Sequence, residues 1–171
     1  MIVIVAETIE PVPSYHGDRL AVDRTVSDPG DYDLILIPGG DVAPLDPANA
    51  ALNDWIVGRS AAAECGMAVC TGTIQLATTG LLDGCRATTN KKDYTATIPY
   101  GPKVDWVPEA RWVKDEKFFT SSGVSAGIDM SLAVMEKLYR QAAAEAIEVG
   151  IEYDWHRDLD RDPFDKLAGL V

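Results

Sequence analysis

Met67-Ala68-Val69-Cys70-Thr71-Gly72-Thr73-Ile74-Gln75-Leu76-Ala77 is the stretch on which the fold reading turns. An apolar run, Met67 to Val69, ends in a cysteine, and small, helix-compatible residues follow at once. The pattern reads as a buried strand feeding a helix through one sharp turn, with Cys70 at the corner. Two effects meet at such a corner. A helix N-terminus carries roughly half a positive charge. A thiol held there can titrate well below its free value of about 8.5, which makes the nucleophilic thiolate available. The alternative reading of Cys70 is a small buried hydrophobe, as free cysteines often are.

Working outward, Asp33-Leu34-Ile35-Leu36-Ile37 is a second apolar run, closed by the turn sequence Pro38-Gly39-Gly40-Asp41. Between the two strands, Asp46-Pro47 predicts an N-cap and first helical residue. That helix runs to about Ala63 and turns Leu52, Trp55 and Ile56 to the sheet. After Cys70 a helix runs to about Thr79 and closes at Gly80. Arg86 to Thr88 reads as a short strand and Asp93 to Ile98 as a short helix. Arg111-Trp112-Val113 and Lys117-Phe118-Phe119-Thr120 flank Lys114-Asp115-Glu116 as a hairpin. From Ser125 a long helix is predicted to about Val149, with Leu132, Met135, Leu138, Tyr139 and Ala142 as its apolar stripe. The tail from Ile151 to Val171 is acidic and aromatic.

The N-terminal part is less regular. Ile2 to Val5 is a β-branched run that predicts a buried strand. Residues 7 to 31 mix prolines and acids with no helical period, apart from a short strand at Leu20-Ala21-Val22. Two buried parallel strands need a crossover of a dozen residues or more, usually helical. No such helix is legible between Val5 and Asp33. Taken together, strands alternating with helices predict one α/β domain over residues 1–171. It would be a three-layer α/β/α sandwich with a mainly parallel sheet plus a small β-hairpin. Ligands in such sheets sit beyond the carboxyl ends of the strands. Gly39-Gly40, Cys70-Thr71 and Gly123 to Gly127 all fall at such ends.

Composition narrows the function. Lys and Arg number 15 against 27 Asp and Glu, a net charge of −12. That argues against nucleic acid or an anionic membrane as partner, since both select a basic face. No apolar run approaches the roughly 18 residues of a membrane span. Met1 to Ala6 lacks the basic flank and the length of a signal peptide. The 3 cysteines form no disulfide framework, which fits a reducing, cytoplasmic setting. With unpaired cysteine spacing and only His16 and His156, no zinc site is expected.

If Cys70 attacks an electrophilic carbon, the developing charge needs preorganised donors. The bare amides of a Gly-Gly turn and the amide after the nucleophile are the candidates: Gly39 and Gly40 with Thr71. Ser125 reads either as a substrate contact or as a helix N-cap. A base is not evident. Thr71, not a histidine, follows Cys70, and His156 lies among acids near the C-terminus, where it reads as a surface or subunit-contact residue. A Cys-His-Asp hydrolase is therefore disfavoured.

Four segments together resemble the ThiJ/PfpI superfamily: Asp33 to Asp41 (DLILIPGGD), Ala68 to Gly72 (AVCTG), Gly80 to Asn90 (GLLDGCRATTN) and Ser121 to Met130 (SSGVSAGIDM). The resemblance runs in order from Asp33 to Glu152. It implies a flavodoxin-like fold related to class I glutamine amidotransferases. The Cys-Thr-Gly elbow and the segment from Gly123 to Asp129 are most similar to the isocyanide (isonitrile) hydratase branch, and also to amidase-like regions of certain transcription regulators. The resemblance implies Cys70 as nucleophile, Gly40 and Thr71 amides around it, a homodimer, a small-molecule substrate and no metal or organic cofactor. Two departures stand out. Relatives with a histidine near the cysteine carry it in a Thr-Thr-His segment, where this chain has Thr88-Thr89-Asn90, and asparagine exchanges no proton near neutral pH. Relatives also begin with an extra strand and helix whose Asp or Glu reaches the cysteine, and Met1 to Val26 looks like their second strand region. Glu7 follows a strand but reads as solvated surface. The sheet is accordingly expected to lack an interior strand. Three functions remain open: the first is a cysteine-dependent hydratase, the second a non-catalytic or redox-sensing dimer in which Cys70 is oxidised. A third is a binding module that keeps the fold without chemistry.

Overall fold

The computed structural model describes residues 1–14, 16–41 and 46–171. In chain order the elements are β1 (Val5–Ala6), β2 (Val12–Pro13), β3 (Arg19–Leu20), β4 (Arg24–Thr25), β5 (Leu34–Ile37), α1 (Ala50–Ala62), β6 (Cys65–Val69), α2 (Gly72–Thr78) and β7 (Arg86–Ala87). Then come α3 (Tyr94–Thr97), a 3-10 turn (Ile98–Tyr100), β8 (Asp105–Trp106), β9 (Trp112–Asp115), β10 (Phe118–Ser121), α4 (Val124–Tyr139), α5 (Gln141–Gly150) and α6 (Phe164–Leu167).

The central sheet has the order β5-β6-β10-β9. β5, β6 and β10 run parallel, and β9 joins β10 as the antiparallel arm of the expected hairpin. Side chains alternate across these strands, so each strand feeds two cores. Ala68 and Phe118 face α1 and α2, where they meet Ile56, Leu76 and Ala77. Cys65, Met67 and Phe119 face α4, where they meet Met130 and Val134. The chain is thus an α/β fold with a central sheet flanked by helices on both faces. No helix among the described residues is long and apolar enough to cross a membrane.

The helix expected from Ser125 to Val149 is in fact two. Arg140 breaks it with φ +78° and ψ 162°. The break lets α5 fold back, burying Ala144 in one cluster with Leu132 of α4 and Trp155 of the tail. Tyr139, placed on the apolar stripe by its spacing, is consequently 63% exposed. The cap of α1 is Asn49, whose side chain accepts the Leu52 amide at 3.1 Å, and not Asp46. Asp46 instead caps a preceding turn through the Ala48 amide.

The N-terminal strand is shorter than its β-branched run suggested. Only Val5–Ala6 pairs, in parallel with Arg24–Thr25, and Ile2 is exposed because no neighbour covers it. β5 is therefore the edge of the central sheet, and its Leu36 is 48% exposed. A groove of about 460 Å³ separates β5 from the segment Val3 to Glu7, with Leu52, Trp55 and Ile56 on its wall. Of Leu20-Ala21-Val22, only Leu20 enters a strand, β3, which pairs with β2.

Gly72 sets how closely α2 approaches the end of β5. A Cβ there would lie 2.5 Å from the Ile37 carbonyl oxygen and 2.6 Å from that of Pro38. Gly58 on α1 has nothing within 4 Å. Gly72→Ala is expected to destabilise the fold by about 3 kcal/mol through overpacking. Gly58→Ala should stabilise it by about 1 kcal/mol through helix propensity. Urea midpoints at unchanged m-value check both.

Candidate active site

Cys70 occupies the corner between β6 and α2 with φ +57°. A non-glycine residue there is strained by roughly 1–2 kcal/mol. The surroundings hold it in place. Its N–H donates to the Ser121 carbonyl at 3.0 Å. Its carbonyl accepts from Thr89 Oγ1 at 2.9 Å, from Thr73 Oγ1 at 3.0 Å and from the Thr73 amide at 3.3 Å. Thr73 and Thr89 are completely buried, so their bonds to the half-buried Cys70 face reduced competition from water. The residue itself is half-buried.

The Pro38-Gly39 bend abuts this corner. A Cβ on Gly39 would stand 2.7 Å from Cys70 Cβ and 2.8 Å from the Val69 carbonyl, so the approach requires glycine. The donor pair expected from the sequence is altered at Gly40. Its amide donates to Thr71 Oγ1 at 2.9 Å, and that hydroxyl donates back to the Gly40 carbonyl at 2.8 Å. The Gly40 amide is thus engaged, and its visible role is to fasten the 38–40 bend to the elbow. The Thr71 amide precedes the first turn of α2, where N–H groups have no intrahelical acceptor.

Ser125 is placed elsewhere. Gly123 is the N-cap of α4 and makes no side-chain cap bond, so Ser125 is inside the helix and does not cap it. It lines a cavity of about 700 Å³ with Arg111, Tyr153, His156, Arg161 and Phe164, a lining that does not include Cys70. Beneath that cavity Arg111 and Asp129 form a buried pair, Nε and Nη2 each 2.7 Å from Oδ2. The other carboxylate oxygen accepts the His156 amide at 2.9 Å and the Tyr153 hydroxyl at 3.2 Å. Burial, then the Asp129 charge, pushes the Tyr153 phenol up from its ordinary value. His156 thus serves Asp129 through its backbone, and no imidazole or carboxylate among the described residues hydrogen-bonds the Cys70 thiol.

The remaining candidates sort themselves by contact. Glu7 is exposed and accepts from the Asn49 side chain at the start of α1. Asn90 accepts the amides of Lys92 and Asp93 and so shapes the turn before α3. Cys65 and Cys85 are buried, and burial, followed by Asp115, pushes the Cys85 thiol up. Among the described residues no group of three or more His, Cys, Asp or Glu is gathered as metal ligands would be.

One buried cluster was not foreseen. Lys91 Nζ donates to Thr88 Oγ1 at 2.8 Å and to the Ala110 carbonyl at 2.6 Å, and lies 4.0 Å from Asp162 Oδ2. Burial pushes the Lys91 ammonium down to about 8, against the opposing pull of Asp162, Asp165 and Glu109. Between that value and about 10.5 the unfolded chain holds a proton that the folded chain has released. This group therefore adds stability as pH rises through that window. Relative to Lys91→Met, the wild type should gain on the order of 2 kcal/mol between pH 7.5 and 10. Paired urea titrations across that range read the difference.

The DJ-1/PfpI family profile matches residues 1–137. The isonitrile hydratase of Pseudomonas putida is 35% identical over 153 residues, 88% of this chain and 64% of that protein. The chain thus spans just under two thirds of that curated relative. Among solved structures, a ThiJ/PfpI family protein from Pseudomonas syringae superposes with a TM-score of 0.82 at 29% identity, covering 99% of this chain and 72% of the other. The oxidised DJ-1 of Toxoplasma gondii gives 0.70 at 27% identity, covering 89% and 83%. With a family profile matching residues 1–137 and a fold that superposes on these neighbours, the chain belongs to the DJ-1/PfpI family.

Proposed function

We propose that the protein is a cysteine-dependent hydratase in which Cys70 adds to a small electrophile such as an isocyanide. The observation that carries this reading is the left-handed conformation of Cys70, held by buried hydrogen bonds on both of its peptide groups. A strained residue kept in place by its surroundings is the usual mark of a site that needs one side chain presented in one way. The similarity to an isonitrile hydratase supports the same substrate class.

In the proposed reaction the Cys70 sulfur forms a bond to the terminal carbon of the isocyanide. That carbon takes a proton, giving a thioimidate on the enzyme. Water adds to the same carbon, the C–S bond breaks, and the thiol is restored as an N-substituted formamide leaves. The balance is one isocyanide and one water in, one formamide out. The Thr71 amide is the donor proposed to face the developing charge. The proposal places the protein in the cytoplasm as a homodimer. The exposed Leu36, Val124 and Ile128 are apolar surface that such a dimer would cover.

The redox-sensing alternative draws on the lack, among the described residues, of an acid or imidazole hydrogen-bonded to the thiol. The two are separated by assay. Hydration of a simple alkyl isocyanide should be measurable and should fall by at least about a thousandfold in Cys70→Ala, as expected when a covalent nucleophile is removed. Iodoacetamide should modify Cys70 well ahead of the buried Cys65 and Cys85. Turnover surviving in Cys70→Ala, or no turnover with Cys70 oxidised stoichiometrically by mild peroxide, would exclude the hydratase.

A further inference from the structure

We propose that Lys91 and Asp162 form a buried latch through which the C-terminal tail positions Cys70. This rests on the reading of Cys70 as a reactive thiol. Lys91 is a positioning residue in this account, since it touches the nucleophile only through others.

The tail is held against the body at the segment just before β9. The Arg111 amide donates to the Leu159 carbonyl at 2.8 Å, and the Asp162 amide donates to the Glu109 carbonyl at 2.9 Å. The Asp162 side chain enters the interior from there. Its Oδ2 is buried and has no hydrogen-bond partner, and the nearest cation is Lys91 at 4.0 Å. Lys91 in turn is hydrogen-bonded on the body side of the junction. It bonds the Ala110 carbonyl, within the segment that the tail pairs with, and the Thr88 hydroxyl.

From Thr88 the contacts lead to the elbow. The Thr88 amide donates to Thr120 Oγ1 at 2.9 Å, and its hydroxyl donates to the Val107 carbonyl at 2.9 Å. Its carbonyl lies 3.3 Å from Thr73 Oγ1, the hydroxyl that also reaches the Cys70 carbonyl. The next residue, Thr89, donates to the same Cys70 carbonyl. Thr73, Thr88 and Thr89 are wholly buried, and Lys91 nearly so. The path is short and continuous, and buried as far as its last links at the Cys70 carbonyl, which favours coupling between groups.

The groups facing Lys91 are Asp162 and Asp165 from the tail and Glu109 from the segment before β9, with the Tyr94 ring of α3 5.8 Å away. A buried ion pair of this kind adds little net stability, because desolvation offsets the attraction. What it fixes is geometry. Releasing it should let residues 88 and 89 shift, relax the left-handed corner and withdraw the thiol from the N-terminus of α2.

The test is the rate of Cys70 alkylation by iodoacetamide, followed by peptide mass, with amide exchange of the same proteins. The full chain is compared with Lys91→Met, Asp162→Asn, Thr89→Val and the double variant Lys91→Met/Thr89→Val. Lys91→Met and Asp162→Asn should each slow alkylation by about fivefold or more. Exchange should rise in residues 155–165 and not in β6. The double variant should be no slower than Thr89→Val, because both changes act along one path. Rates within twofold of the wild type overturn the latch. So do independent, multiplicative effects of the two substitutions, or loss of protection in β6 equal to that of the tail. Should Lys91→Met not fold, the isosteric Asp162→Asn, which keeps the bond from its amide to Glu109, carries the same outcomes with the Thr89→Val double. A wild-type Cys70 no faster than a free thiol would sink the catalytic reading, while the ratios among variants still decide the latch.

Discussion

One backbone angle organises this molecule. Cys70 stays at φ +57° only because its amide and carbonyl are both bound by neighbours on different elements. The amide is bound by Ser121 at the end of β10, and the carbonyl by Thr73 on α2 and by Thr89 beyond β7. Without these bonds the left-handed corner would be disfavoured by roughly 1–2 kcal/mol. The sheet therefore serves the corner as much as the corner serves the sheet. Parallel pairing of β6 with β10 brings Ser121 beside Cys70, and burial of the threonines makes their bonds effective.

Two glycines allow the chain to close around this corner. Gly39 lets the bend after β5 touch Cys70 Cβ, and Gly72 lets α2 begin against the Ile37 and Pro38 carbonyls. Thr71 then ties the bend to the elbow by its reciprocal bonds with Gly40. The result is a Cys70 corner walled by backbone where the 38–40 bend meets it. β5 is itself an open edge, with Leu36 exposed and a groove alongside whose lining does not include Cys70.

Much of this was legible from local pattern. The corner at Cys70 shows because an apolar run meets small residues abruptly, and the hairpin shows because two apolar runs flank Lys114-Asp115-Glu116. The break at Arg140 was hidden, since arginine favours helix and only the burial of Ala144 and Trp155 against α4 rewards the turn. Ile2 to Val5 has the composition of a buried strand, yet burial depends on a neighbour that local sequence does not reveal. At Thr88-Thr89-Asn90, where no histidine stands, the Thr89 hydroxyl binds the elbow, a bond that no local pattern announces. The pairs Arg111–Asp129 and Lys91–Asp162 join distant segments, and a single sequence carries no signal for them.

The central claim is that this corner presents a sulfur that bonds carbon during turnover. Its most direct measurement is rapid-quench mass spectrometry with a carbon-13-labelled isocyanide. The account predicts a transient adduct of one isocyanide mass on the peptide holding Cys70, appearing before labelled formamide and decaying as it forms. Labelled formamide accumulating with no adduct on that peptide would contradict it.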